Sequence, residues 1–282
     1  MTRVVLLTGS ELRHQFVRKL IAATPGVDVL RTYCEGTEKA LKTLAMSKGD
    51  GAAELELEHL KAREQSEEDF FGNFVRYIED RSNPVSIPKG EVNSPQVFGD
   101  ICDLAPELLV SYGCSIVKNP LLSRFAPGFL NVHLGLSPYY RGAGTNFWPF
   151  VNGELEYVGI TFMYIDAGID TGEIIHQIRP RIVPGDSIHS IGNRLIGEMA
   201  KVYAEIILYH DQLEKMSQLP MPKDEKIYKR ADFTDEAVTQ LYSHLRSGLV
   251  EKYLNEQVER CARVPIIENP TIAAVSPARA VE

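Results

Sequence analysis

The opening of the chain, up to Tyr33, constrains the architecture more than any other stretch. Val4-Val5-Leu6-Leu7 is an unbroken apolar run. A strand without polar alternation is one buried on both faces, as in a parallel sheet covered by helices. Thr8-Gly9-Ser10 reads as a turn, with Ser10 placed to cap a helix through Leu20 to Ala23, and Val27 to Tyr33 reads as a second strand. Strand, turn, helix and strand in this order predict a Rossmann-like, doubly wound α/β fold with a mostly parallel sheet. The chain carries neither a Gly-x-Gly-x-x-Gly fingerprint nor a Walker loop, so no nicotinamide or ATP site is expected.

The alternation continues. Strands are predicted over Leu108 to Tyr112, Phe129 to Leu134, Val158 to Ile165 and Glu173 to Val183, with a helix from Pro95 to Leu104. Asp186 or Ser187 caps a long helix, Ile188 to Tyr209, whose Ile191, Leu195, Met199, Val202 and Ile206 face the sheet. Residues 36–82 read as helical and highly charged, with an apolar stripe of Phe70, Phe71, Phe74, Val75 and Ile78. From Glu54 to Asp80, nine acidic residues stand against three basic, a local net of −6. Such a run is ordinarily a solvated face, which puts His59 and Arg63 on the surface. The sharper reading is a specificity lobe in which that pair contacts an anion. The predicted division is a catalytic domain over 1–215 and a small C-terminal extension over 216–282. The extension holds a helix at about 235–254, a surface suited to a homodimer, and then a mobile tail.

The chain has 282 residues and a formal net charge of −8. That length can bury a full core. No apolar run reaches the ~18 residues of a membrane span, and Met1-Thr2-Arg3 before Val4 reads as strand rather than secretory signal. Cys34, Cys102, Cys114 and Cys261 form no Cys-x-x-Cys pair and no His cluster has metal spacing, so reduced thiols in a cytoplasmic protein and no metal are expected. The acidic balance argues against nucleic acid as a partner, since neutralised phosphates supply most of that affinity.

Function is concentrated between Asn131 and Gly172. Asn131-Val132-His133 ends a predicted strand, and residues i and i+2 of a strand share a face. A carboxamide and an imidazole can therefore act on one substrate atom. The segment Asp166-Ala167-Gly168-Ile169-Asp170-Thr171-Gly172 ends the next strand and presents carboxylates in a Gly-rich loop. Amide, imidazole and acid at neighbouring strand ends suit acyl transfer.

Asn131, His133, Pro138, Arg141, Gly142, Asp166, Gly168, Asp170 and Gly172, in this order, resemble the pattern of the folate-dependent formyltransferases. The resemblance runs from about Leu108 to Tyr209. It implies Asn131, His133 and Asp170 as the catalytic set. Asn131 and His133 would stabilise an oxyanion, and Asp170 would orient the imidazole and relay protons. It further implies 10-formyltetrahydrofolate as formyl donor. The backbone of Ser115, Ile116 and Val117, and the loop residues Asp166, Gly168 and Ile169, would hold it. Gly168 and Gly172 are expected to allow unusual φ in that loop, and Asp166 to shape it by turn-type hydrogen bonds. Arg141 is either an ion-pair partner or an anion contact, and Trp148 belongs more readily to the core than to a ligand platform.

Two positions depart from the pattern: Gly135 stands where the family commonly has Ser, and Ser137 where it has Leu. Loss of the hydroxyl at Gly135 is expected to leave room near the centre. Asn146-Phe147-Trp148 followed by Asn152-Gly153-Glu154 looks most like the sugar N-formyltransferases, so the expected acceptor is a primary amine on a nucleotide-linked amino sugar. The alternatives are formylation of methionyl-tRNA, hydrolysis of formyltetrahydrofolate, and a non-catalytic folate- or nucleotide-binding module.

Overall fold

Val4, Val5, Leu6 and Leu7 are all buried because their strand lies inside a seven-stranded sheet. The structure, a computed structural model, describes residues 1–37, 45–46, 54–222 and 226–275. In chain order its elements are β1 (Thr2–Gly9), α1 (Leu12–Ala23), β2 (Val27–Glu35), α2 (Glu54–Tyr77), β3 (Pro84–Ile87), α3 (Pro95–Leu104), β4 (Leu108–Tyr112), α4 (Leu121–Phe125) and β5 (Phe129–His133). Next come β6 (Tyr140–Gly142), α5 (Trp148–Val151), β7 (Ile160–Tyr164), β8 (Ile174–Ile178), α6 (Ile188–Leu208), β9 (Lys226–Tyr228), α7 (Asp235–Arg246), α8 (Leu249–Ala262) and α9 (Pro270–Val275).

The sheet order is β3-β2-β1-β4-β5-β7-β8. The first five strands pair in parallel, and β7 runs antiparallel to both neighbours. Alternate residues of β1 feed opposite faces. Val4 and Leu6 pack with Phe16, Val17 and Ile21 of α1, while Val5 and Leu7 pack with Val97 and Ile101 of α3. This is the doubly wound arrangement that an unbroken apolar strand demands. The α6 stripe is as read from its spacing: Ile191, Leu195, Met199, Val202 and Ile206 are fully buried. Ser187 caps the helix by accepting from Ser190 N–H at 3.0 Å.

Several boundaries differ from the sequence reading. The first helix is capped by Glu11, not Ser10, because the Glu11 N–H donates to His14 Nδ1 at 3.2 Å. Of the helical span 36–82, residues 54–77 form α2, Gly36 and Thr37 are not helical, and 38–44 and 47–53 lie outside the described residues. Within the stripe, Phe71 is buried, but Phe70 and Ile78 are exposed, since each lies off the face turned to α1. Nor is α2 merely a solvated helix: Glu56, His59 and Glu67 are buried. The single helix expected over 235–254 is two, broken at Gly248, whose φ of +78° no helix interior accepts.

Much of the expected mobile tail is docked. Gln177 N–H of β8 donates to Ile267 O at 2.7 Å. Ile267 N–H returns a bond to the Gln177 side chain, Asn269 N–H donates to His176 Nδ1, and Ile272 is fully buried. β8 is a sheet edge, and a covering segment satisfies backbone groups that an edge leaves open. Residues 276–282 lie outside the described residues. The extension also supplies β9, which pairs in parallel with β6, directly after the Asn-x-His strand.

Candidate active site

The parallel strands β1, β4 and β5 end on one side of the sheet, at Gly9, Tyr112 and His133. The sheet order reverses between β1 and β4, and at such a point the diverging connections leave a crevice. A cavity of about 720 Å³ opens there. Its mouth at β1 is plugged. His14 packs into the gap between Gly9 and Gly113, so that a Cβ on Gly9 would meet the ring at 2.7 Å. Burial first, then the neighbouring cations Arg13, Lys89 and Arg63, hold the His14 pKa well below its ordinary value.

Asn131 and His133 both line the cavity, as their spacing on β5 requires. Ser111 of β4 donates its hydroxyl to Asn131 Oδ1 at 2.8 Å. That bond occupies the carboxamide oxygen and leaves the Nδ2 hydrogens for another acceptor. His133 Nε2 lies 3.0 Å from Tyr140 O, and Nδ1 lies 3.3 Å from Asp170 Oδ1. The reading from sequence gave the imidazole an open N–H for the oxyanion. Instead Nε2 is committed to the backbone, and only the Nδ1 edge, on the Asp170 side, remains.

Asp170 is held by a second bond, accepting from Gly142 N–H at 2.9 Å. The unusual φ of the loop falls on Asp170 itself, +51°, and not on Gly168 or Gly172. Asp and Asn tolerate the left-handed region better than other side chains. Gly168 and Gly172 serve close approach instead, since a Cβ on either would run into Thr171 or the Tyr164 carbonyl. Asp166 shapes the loop, accepting from Gly168 N–H and the Thr171 hydroxyl, each at 2.9 Å. The room expected at Gly135 is taken by Thr145, whose Cβ would stand 2.7 Å from a Cβ at 135.

Ser115, Ile116 and Val117 also line the cavity, together with Met163, Ile165 and Ile169. Two of their backbone groups are already used: Ser115 N–H donates to Glu35 at 2.6 Å, and Ile116 O accepts from Asn93 Nδ2 at 3.0 Å. The N–H groups of Ile116 and Val117 have no partner among the described residues. Sequence reasoning missed Glu35. Its fully buried carboxylate also accepts from Lys89 Nζ and Gly90 N–H, each at 2.8 Å. Burial works against this charge, but Lys89, Gly90 and Ser115 outweigh it and hold the carboxyl below the usual range. A lone Glu at a strand end carries no sequence signal for such a role.

The opposite wall comes from α1, α2, α6 and the extension. Arg13 bonds Glu67 at 2.7 Å and pairs with Glu11, and Arg63 approaches Glu11 and Glu67 at 3.7 and 3.6 Å. His59 is buried there rather than on the surface, beside His189, Phe147 and Phe233, with Nδ1 3.1 Å from Tyr242 Oη. Trp148 is core on one side, bonding Ala143 O at 2.9 Å and stacking on Tyr228 at 4.2 Å, and touches the cavity with the other. Arg141 is buried and has a partner within the protein. Among the described residues no group of His, Cys, Asp and Glu is arranged to hold a metal.

Fold and site together define an α/β protein with a cavity at the carboxyl ends of its parallel strands. Residues 2–207 match the Formyl transferase family, and the chain belongs to it. Curated methionyl-tRNA formyltransferases are similar over part of the chain. That of Desulforamulus reducens is 38% identical over 107 residues, 37% of this chain and 33% of its own length. That of Synechococcus sp. is 32% identical over 158 residues, 53% of this chain and 48% of its own. The chain thus spans a third to a half of these relatives. Two solved structures share the fold, each at a TM-score of 0.53. A phosphoribosylglycinamide formyltransferase from Anaplasma phagocytophilum is 14% identical, covering 81% of this chain and 98% of that one. A sugar N-formyltransferase from Shewanella sp. is 19% identical, covering 83% and 78%.

Proposed function

We propose that this chain transfers a formyl group from 10-formyltetrahydrofolate to a primary amine on a nucleotide-linked amino sugar. The observation that carries the reading is the meeting of Asn131, His133 and Asp170 at one cavity, with the carboxamide oxygen and one imidazole nitrogen already committed to the protein. The donor is supported by the free N–H groups of Ile116 and Val117 beside apolar Met163, Ile165 and Ile169, which suit a flat heteroaromatic ring with acceptors on its edge.

The amine nitrogen forms a bond to the formyl carbon while negative charge gathers on the formyl oxygen. Asn131 Nδ2–H donates to that oxygen, and His133, as an imidazolium whose Nε2–H is given to Tyr140 O, adds a second donor at Nδ1. Asp170, beside that edge, takes the proton the amine loses. The same proton is returned to the folate nitrogen as its bond to the formyl carbon breaks. The products are a formamide and the folate carrying one more N–H, so atoms and charge balance.

The sugar nucleotide is supported by Lys229 and Arg230, exposed at the cavity rim where a diphosphate could reach them. The formal charge of −8 disfavours RNA. A second reading, formylation of methionyl-tRNA, is favoured by the names of the curated relatives. The test is a transfer assay with 10-formyltetrahydrofolate against nucleotide-linked amino sugars, methionyl-tRNA and no amine, read by mass spectrometry. A formylated amino sugar is the expected product. Formylated methionyl-tRNA would replace the acceptor, and formate alone would make the chain a hydrolase.

A further inference from the structure

Four buried polar atoms of the cavity have no hydrogen-bond partner among the described residues: Arg63 Nε and Tyr112 Oη, beside the charges of Arg13, Glu11 and Glu67, and then Asn146 Oδ1 and His189 Nε2. Asn146 and His189 lie apart from that charged group in the sequence, on the turn after Thr145 and on α6. A buried polar atom left unsatisfied is costly, and a ligand that supplies its partner recovers that cost. Asn146 lies in the turn that follows Thr145, the residue packed against Gly135. His189 lies on the first turn of α6, with its ring centroid 4.7 Å from that of His59. Gly192, three residues along α6, also lines the cavity, and a Cβ there would meet nothing within 4 Å.

We propose that Asn146 Oδ1 and His189 Nε2 are the recognition pair for the acceptor, and that they bind an uncharged, hydroxyl-bearing ring. The proposal rests on the transfer reading above. A hydroxyl donates and accepts, so it satisfies a carboxamide oxygen and either tautomer of the imidazole. The charges on this wall are already in ion pairs. The guanidinium groups of Arg13 and Arg63 are met by Glu11 and Glu67, two cations against two anions. His189 is neutral because burial, then the nearby Arg63, brings its pKa down to about 4. A ring carboxylate would face Asn146 Oδ1, and the Arg63 guanidinium, although its Nε has no hydrogen bond, already has Glu11 and Glu67 within 4 Å. Phe147 and Phe233 supply apolar faces for the C–H surface of a saturated ring. The phosphates of such an acceptor would stay at the rim.

The test is direct binding by calorimetry on the full chain, so it does not depend on turnover. The probes are a nucleotide-linked amino-deoxyhexose, its counterpart bearing a ring carboxylate, and 5-formyltetrahydrofolate as a non-reacting folate. Wild type is expected to bind the neutral sugar at least about tenfold more tightly than the carboxylate sugar. Asn146→Leu and His189→Phe are each expected to weaken the neutral sugar by about tenfold, while leaving the folate probe within about twofold. His189→Gln, which keeps a hydrogen-bonding nitrogen, should retain most of the affinity and serves if the Phe variant does not fold. Equal affinity for the two sugars, or unchanged sugar binding in Asn146→Leu and His189→Phe, overturns the proposal. Folate binding in wild type without sugar binding overturns it too, and leaves formyl transfer standing. Absence of folate binding removes the transfer reading, and this proposal with it.

Discussion

Gly135 has no room for a side chain: a Cβ there would stand 2.6 Å from His133 Nε2 and 2.7 Å from Thr145 Cβ. Thr145 is fixed in turn by its hydroxyl, which donates to Leu134 O. The imidazole is thus wedged on one side and tied to Tyr140 O and Asp170 on others. Gly135→Ser should displace His133 or Thr145, at an overpacking cost of about 1–3 kcal/mol. Turnover is expected to fall about tenfold for that cost, and Thr145→Gly in the same chain should restore part of it. Full activity in Gly135→Ser alone would mean the ring is not constrained there. Asp170→Asn tests the carboxylate itself. Asn keeps the shape, tolerates the left-handed φ of +51° and still offers Gly142 N–H an oxygen. The fold should survive while kcat falls by about a hundredfold, as loss of a proton-transfer partner does. Unchanged turnover would remove Asp170 from the mechanism. Asn131 and His133 were legible as a pair because strand period puts them on one face. Thr145 was not, because its contact with Gly135 is made by the return of a loop, and no local pattern announces it.

At the scale of elements, β1, β2, β4, β5, β7, β8 and α6 were legible because their burial follows runs or periods that the residues display, whereas the short β3, β6 and β9 display none and were not. What was not legible is how loops are held to one another. Glu35 ends β2, yet its three donors come from Lys89, Gly90 and Ser115, on two other connections. It fixes the Cys114–Val117 segment against the 88–90 turn, with the Ile116 and Val117 N–H groups turned free. Glu35→Gln keeps one acceptor oxygen but leaves Lys89 without a charge partner, at a cost of about 1–3 kcal/mol. The expected result is a lower Tm and a KM for the folate raised about tenfold, with the KM for the acceptor unchanged. Adding Lys89→Met removes the orphaned cation and should recover the Tm more than the folate KM. A variant that loses stability but keeps its folate KM would reduce Glu35 to a core ion pair. The same blindness explains α2. Its acidic run reads as solvated, but Glu67 and His59 are buried by α1, α6 and α7, which no count of charges reveals.

Over the whole molecule, the cavity is a joint product of the sheet's carboxyl edge, α2 and the C-terminal extension. Three histidines in it carry a common consequence for stability. Burial lowers His14 well below its ordinary value, lowers His59 to about 3, and lowers His189 to about 4. Unfolded, each would titrate near ~6.5. Below that pH the unfolded chain takes up protons that the folded chain refuses, so stability rises with pH there. The contribution is complete above about pH 6.5 and is lost progressively as pH falls toward the folded values. Each histidine is worth up to about 1.4 kcal/mol per pH unit in that window. The lowered carboxyls of Glu35, Asp80 and Asp186 act in the same direction, but only below about pH 4. Urea denaturation at pH 7.5 and 5.5 should therefore show a loss of a few kcal/mol, up to about 4. His59→Phe keeps the ring packing against Phe147 and Phe233 and removes one titrating group. Its loss between the two pH values should be smaller than that of wild type by about a third. An identical loss in the variant would mean that His59 takes up its proton without unfolding, by opening of the cavity wall.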